Sequence, residues 1–335
     1  MEPVTHALAS LALGRAGLGR ATRLATPMLL VAGVAADADW ISHTAGAAAF
    51  VQWHRTATHS LLGMAAISAG VAAGFWLWAR RGEASRRIRY LPALAVCAAG
   101  AGLHLLLDLT NDAGMKLLWP FGHNRTAWDW AREVDPWLLA ILLAGLLVPA
   151  LLRLVGEEIG ARGRKQPGVR GAIATLCVAA LYLGARGMAH QRAGAILDSH
   201  TYQRETPIRT GAFPAASPLQ WRGVVETETA VHEVNISLLP GVEFDARAAR
   251  SRAKPENSPL LQRAIASDAA QAFLAFARFP MARVEPTQDG IEVRIEDLGT
   301  AAAGTGSSEV VAVIEVNTRA EITRSELAFV AGTRQ

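Results

Sequence analysis

Residues 90–110 read YLPALAVCAAGAGLHLLLDLT, and this stretch decides the fold. It carries no charge from Tyr90 to Leu103. Its length matches the roughly 20 residues a helix needs to cross about 30 Å of hydrocarbon. Near its end come His104 and Asp108, four positions apart and therefore on one helix face. Ionisable groups in a membrane segment are costly and face a bundle interior or a water-filled cavity. The stretch thus reads as a membrane helix with a polar pair to present.

Five further apolar segments flank it, roughly 4–19, 25–42, 58–79, 136–155 and 170–189. The first two are shorter or more polar, as half-buried or re-entrant pieces would be. Cys97 and Cys177 lie within apolar runs and read as small hydrophobes rather than ligands or a disulfide. After residue 190 the character changes. Gly223–Ser237, Gly290–Glu296 and Glu309–Asn317 alternate as strands do. Residues 259–278 carry a helical apolar pattern through Leu260, Leu261, Ile265, Ala269, Phe273 and Phe276. Residues 298–308, rich in Gly, Ala, Ser and Thr, read as a loop. The expected fold class is mainly α, a polytopic transmembrane helical bundle over 1–190, followed by a small α+β soluble domain over 191–335.

Charge sets an orientation. The loops near 20, 85 and 162 hold thirteen basic residues: Arg15, Arg20, Arg23, Arg80, Arg81, Arg86, Arg87, Arg89, Arg153, Arg162, Arg164, Lys165 and Arg170. The opposite loops up to residue 135 hold four: Arg55, Lys116, Arg125 and Arg132. By the positive-inside rule the first set faces the cytoplasm. Residues 191–335 are then expected outside it, beyond the cytoplasmic (inner) membrane. Trp40, Trp53, Trp119, Trp128, Trp130 and Trp137 fall near the outer ends, where amphipathic rings gather. The first twenty residues lack the basic start of a cleaved signal. The net charge of +4 is explained by these loops, and no basic stripe interleaved with aromatics points to nucleic acid.

On this topology His6, His43, His54, His59, His104 and His123 all fall on the outer side, with Asp37, Asp39, Asp108 and Asp112. Hydropathy and arginine placement fix that side without using the histidines. A lone membrane histidine is often just an interhelical hydrogen-bonder, and His43 and His123 read as structural or solvated. Convergence of several segments at one depth points instead to metal. His104 and Asp108 offer an imidazole nitrogen and a carboxylate to one cation. Asp37-Ala38-Asp39 adds two carboxylates at a helix end. His54-Arg55-Thr56-Ala57-Thr58-His59-Ser60 adds two imidazoles, an Arg suited to anionic oxygens, and Thr58 as a cap for the next helix.

These motifs together resemble a family. Thr5-His6, Asp37-x-Asp39, His54-Arg55-x-x-Thr58-His59-Ser60, and His104-x-x-x-Asp108 followed by Gly114 and Trp119-Pro120-Phe121 look like the YdjM/YbcI-type membrane-bound metal-dependent hydrolases. The resemblance covers about residues 1–160. Trp221-x-Gly223 and Phe276-Ala277-Arg278-Phe279-Pro280 look like the tails of longer members. The chain departs from the pattern at Ala36, where the family usually has Pro, so the turn and the choice of ligating Asp are open. A looser similarity of His and Asp order extends to zinc-dependent phospholipase C enzymes.

The resemblance implies a metal-dependent hydrolase with an outward-facing site. Metal is expected on His6, Asp37 or Asp39, His59, His104 and Asp108, with His54 a further ligand or general acid–base and Arg55 on a substrate oxygen. Zinc suits this donor set, and manganese or iron also fit. A membrane lipid or a lipid-linked phosphoester is the expected substrate, since the site opens at headgroup level. The alternative is a non-catalytic membrane protein, either a metal-stabilised scaffold or an ion or proton transporter. A transporter calls for ionisable groups at several depths.

Overall fold

A computed structural model describes residues 1–81, 88–158, 168–299 and 309–330, with backbone alone at 152–158 and 309. Most of the loop expected at 298–308 therefore lies outside the described residues, as do Arg86, Arg87, Arg162, Arg164 and Lys165.

The N-terminal half is helical: α1 Pro3–Arg15, α2 Ala25–Val34, α3 Ala47–Trp53, α4 Leu61–Arg80, α5 Tyr90–Leu109, α6 Pro136–Glu158 and α7 Gly168–Asp198. A 3-10 stretch, Ala35–Ala45, links α2 to α3. Local chemistry sets the starts. Glu2 accepts the Thr5 N–H at 2.6 Å, with Pro3 in the first turn of α1. Ser60 caps α4 by accepting the Gly63 N–H at 2.9 Å. The cap expected of Thr58 is thus made two residues later, and the Thr58 hydroxyl is spent on Asp39 instead.

Among the described residues three helices are long and apolar enough to cross a membrane: α4, α5 and α7. The apolar part of α6, Pro136–Leu151, is shorter. α1 and α2, at 13 and 10 residues, are too short to cross. They pack on the long helices through small residues. A Cβ added at Gly100 of α5 would meet the Leu29 carbonyl oxygen of α2 at 2.8 Å, and one at Gly33 of α2 would clash with Ser10 Oγ of α1. Such approach is how helices associate where lipid removes the hydrophobic drive. Met28, Leu29, Ala72, Val96 and Cys97 fill the α2–α4–α5 seam. Leu77, Leu91 and Leu181 are exposed, as lipid-facing residues should be.

The C-terminal part holds two four-stranded antiparallel sheets in simple sequential order. The first contains β1 Arg209–Pro214, β2 Gln220–Glu226, β3 Ala230–Ser237 and β4 Arg250–Ala253. The second contains β5 Pro280–Thr287, β6 Gly290–Asp297, β7 Glu309–Asn317 and β8 Ile322–Val330. In β6 the alternation is plain, with Val293 and Ile295 buried and Glu292 and Arg294 only partly so. The stretch 223–237, expected as strand, is two strands joined by a turn in which Thr227 bonds Ala230 through backbone and hydroxyl. The helical pattern at 259–278 is likewise two helices, α8 Pro259–Ile265 and α9 Asp268–Leu274, because Ser267 caps the second.

The chain divides into two compact units, one of Met1–Asp39 and Arg55–Arg186, the other of Trp40–His54 and Gly187–Gln335. The division is not a single cut near residue 190, because Trp40–His54 groups with the C-terminal part. Within that second unit α3 packs on β8 and α9. Ala47 and Val51 share a buried cluster with Leu261, Phe273, Val310 and Ile314.

Candidate metal centre

His104 and Asp108 sit on the inward face of α5, fully buried. His104 Nδ1 lies 2.8 Å from the Gly33 carbonyl oxygen. A carbonyl only accepts, so Nδ1 carries the proton and Nε2 carries the lone pair. Nε2 faces Asp108 Oδ2 at 3.4 Å and Asp37 Oδ1 at 3.8 Å, and makes no hydrogen bond. A lone pair held against two carboxylates in a buried place is repulsive unless a cation or proton stands between them.

The neighbours repeat the arrangement. His59 Nδ1 is 3.0 Å from Asp39 Oδ2. That partner places the proton on Nδ1 and turns Nε2 toward Asp108 Oδ2 at 3.1 Å and Asp37 Oδ1 at 3.9 Å. A histidine whose far nitrogen donates to a carboxylate or carbonyl is oriented as metal-binding histidines are. His6 Nε2 is 3.2 Å from Asp108 Oδ1, and its ring stacks on that of His104 with centroids 3.8 Å apart. One ligand atom each from His6, Asp37, His104 and Asp108 falls within a span of 4.8 Å, close enough to share an ion.

The two aspartates of Asp37-Ala38-Asp39 play different parts. One oxygen of Asp39 accepts the Arg55 backbone N–H at 2.8 Å and the Thr58 hydroxyl at 2.7 Å besides facing His59. Asp37 Oδ2 has no hydrogen bond, and its side chain is 13 % exposed. Asp37 therefore has coordinating capacity to spare, and Asp39 spends one oxygen on holding its neighbours.

Arg55 is brought to the group but not to the surface, at 2 % exposure. Its guanidinium donates to Asn111 Oδ1 at 3.2 Å and lies 3.5 Å from Asp108 Oδ2 and 4.0 Å from Glu133. Its Nε makes no hydrogen bond. The Met1 amino group also bonds Asp108. His54 is placed differently: it falls in the second unit, where its ring stacks on Phe50 at 4.4 Å. His43 likewise stacks on Trp40 and Phe329 in that unit, and His123 is exposed.

Asn111, Gly33 and Glu133 are among the participants that escape a sequence reading. Asn111 donates to Asp108 Oδ1 at 3.3 Å, and its i+3 spacing on the same face was a usable signal. Gly33 acts through its backbone oxygen, which no residue type advertises. Glu133 approaches from a loop with no periodicity.

The model of the family described as YdjM inner membrane protein matches residues 1–193. The chain belongs to the YdjM inner membrane protein family. The matched span holds every residue of the His6–Asp37–His104–Asp108 group. It also holds the three helices that, among the described residues, are long and apolar enough to cross a membrane, of which α7 runs a few residues past the match. No curated protein and no solved structure matches the chain.

Proposed function

We propose that the protein is a multi-pass, membrane-bound metal-dependent hydrolase whose site faces away from the cytoplasm and whose C-terminal part is extracytoplasmic. The single observation that carries the reading is the His104 Nε2 lone pair held against Asp108 and Asp37, with its tautomer set by Gly33. His6, Asp37, His59, His104 and Asp108 are the ligands, and Asp39 orients His59. Zinc suits this donor set, and manganese or iron would be held by the same groups. A bound divalent cation supplies Lewis acidity and makes water a better nucleophile near neutral pH.

The chain's own residues do the rest. Arg55, buried beside Asp108, balances carboxylate charge and keeps its Nε donor for a substrate oxygen. Asp37, the most accessible of the group, marks the side from which substrate enters. Lipid-linked phosphoesters are the substrate class that suits a site at headgroup depth with a guanidinium beside it.

The burial of His6, His104 and Asp108 favours a second reading, a metal that braces a non-catalytic scaffold, since a catalytic ion needs an open position. Hydrolysis of a panel of phospholipids and lipid-linked phosphoesters separates the two. The hydrolase reading expects turnover by metal-loaded wild type. It expects Arg55→Lys to keep metal but lose roughly 10²–10³-fold in rate, as when one transition-state donor is removed. No turnover by loaded wild type across the panel moves the assignment to the scaffold.

A further inference from the structure

Between α5 and α6 the chain makes a hairpin that lies wholly within the first unit. Its stem is locked. Met115 and Thr126 exchange backbone hydrogen bonds at 3.0 and 2.8 Å, and the N–H groups of Trp128 and Trp130 return to the carbonyls of Leu109 and Thr110. Met115 is buried with Met64 and Leu105, and Leu117 packs on that cluster. The tip is turned the other way. Leu118 is 59 % exposed and Phe121 90 %, and Leu61 and Leu62, where α4 begins, are exposed as well. The turn is compact, since the N–H groups of Phe121 and Gly122 both reach the Leu118 carbonyl, at 2.8 and 3.0 Å. The Leu61 N–H bonds the Leu117 carbonyl at 3.0 Å, which puts the tip at the end of a helix long and apolar enough to cross a membrane. A single exposed apolar residue needs no explanation, but several gathered at one helix end by a fixed stem mark a surface with a partner. Charge adds to the pattern. From Ala113 to Trp128 the chain holds Lys116 and Arg125 and no Asp or Glu. Arg125 is held at the stem by the Ala113 and Gly114 carbonyls. Burial, and then the neighbouring Arg125 guanidinium, lower the Lys116 ammonium from its ordinary value, so an anion close by would be favoured.

We infer that residues 116–125 are a lipid-binding lip, whose Leu118 and Phe121 enter the acyl boundary of the leaflet on their side while Lys116 and Arg125 meet anionic headgroups. Two grounds make the occupant phospholipid. The tip continues the exposed apolar surface of α4, from Leu61 and Leu62 onward. It also divides into an apolar end and basic flanks, the division that holds amphipathic segments in a bilayer interface. Trp119, within the turn, is of the residue type that gathers at that depth. The Lys116 N–H bonds the Arg55 carbonyl at 3.1 Å, so a lipid held at the lip lies beside the segment that carries Arg55 and His59. The inference needs only a membrane protein with this hairpin, and it stands whether or not the His and Asp group holds an ion.

The test uses full-length protein in nanodiscs with a nitroxide at Phe121→Cys or Leu118→Cys. Both positions are exposed, so neither change disturbs packing. The background is Cys177→Ser, which leaves only the buried Cys97. Collisions with dissolved oxygen, which favours lipid, are compared with collisions with a neutral aqueous nickel chelate. Leu77→Cys, exposed on α4, is the lipid reference, and the free nitroxide in buffer is the water reference. The oxygen-to-nickel ratio at 121 and 118 should stand well above the water reference and approach that of Leu77→Cys. Phosphatidylglycerol in place of phosphatidylcholine should raise the ratio further, and Lys116→Gln should remove that rise. Nickel access at both positions equal to the water reference overturns the inference, because the tip then stands in solvent. Shielding from both oxygen and nickel also overturns it, because the tip is then covered by protein, from residues 187–335 or a second copy. Equal ratios in the two lipids overturn the assignment of Lys116 and Arg125 to anionic headgroups.

Discussion

The carboxylate of Asp39 accepts the backbone N–H of Arg55 at 2.8 Å, sixteen positions along the chain. That bond gathers into one place the 3-10 stretch after α2, the return of the chain, and the start of the His59 segment. It also separates the duties of Asp37 and Asp39, which the sequence pattern leaves equal. One Asp39 oxygen is engaged by Arg55, Thr58 and His59, while Asp37 keeps an oxygen with no hydrogen bond; on the proposed reading the first orients a ligand and the second is one.

The split in roles is testable by paired substitution. Asp39→Asn keeps the size but weakens the acceptor that orients His59. Zinc binding should remain stoichiometric with affinity about 10–100-fold weaker, the usual effect of losing a partner behind a ligand. Asp37→Ala should lose more, because a ligand is gone. Chelator competition on both variants checks the order, and a reversed order would exchange the two assignments.

Gly100 controls the approach of α5 to α2. A Cβ there meets the Leu29 carbonyl oxygen at 2.8 Å and Leu29 Cα at 3.3 Å, both backbone atoms that cannot swing aside. Gly100→Ala gains up to about 1 kcal/mol of helix propensity but incurs about 1–3 kcal/mol of overpacking. The net effect should be a lower Tm. Because His104 follows one turn later and binds Gly33 of α2, metal affinity should fall as well. Thermal unfolding and zinc titration of Gly100→Ala would refute this if both matched wild type.

How much of this was legible follows from what each feature depends on. The His104–Asp108 pair depends on four-residue spacing inside an apolar run, so the sequence displays it. The family resemblance rests on that pair together with Thr5-His6, Asp37-x-Asp39 and the His54–Ser60 stretch, and the family model matches residues 1–193. The roles of Asp37 and Asp39 depend on which oxygen meets which donor, and two identical side chains in one tripeptide carry no such mark. The allegiance of Trp40–His54 depends on Phe50 and Val51 meeting residues far along the chain. Local periodicity shows that such a segment has an apolar face and says nothing about its partner. Strands β1, β4, β5 and β8 lie outside the stretches read as strands, because their Arg, Thr, Pro, Ser and Glu positions dilute the alternation.

The second unit has its own acid sensitivity. Glu205 is held down from its ordinary 4.5 to about 2 by the side chains of Thr227 and Thr229 beside it, with the Thr229 hydroxyl and backbone N–H donating to its carboxylate at 2.7 and 3.2 Å. A carboxyl lowered on folding contributes stability that is whole above the unfolded value and is lost as pH falls through the folded one. The contribution should therefore fade between about pH 4.5 and pH 2. Thermal unfolding at pH 5 and pH 3 should show a smaller drop for Glu205→Gln than for wild type. Equal drops would assign the acid loss to other carboxylates.

On the proposed reading, arginine placement puts residues 191–335 outside the cytoplasm. A reporter active only outside the cytoplasm should be active when fused after Gln335 and silent when inserted at Glu83. The reverse pattern would put the metal group on the cytoplasmic side.

The central claim is that His104 and Asp108 hold a metal, and elemental analysis of purified, membrane-inserted protein tests it most directly. Wild type and His123→Ala should carry stoichiometric divalent metal, since His123 is exposed and outside the group. His104→Ala and Asp108→Ala should carry almost none while still inserting. Equal metal content in all four proteins, or none in wild type, would contradict the account.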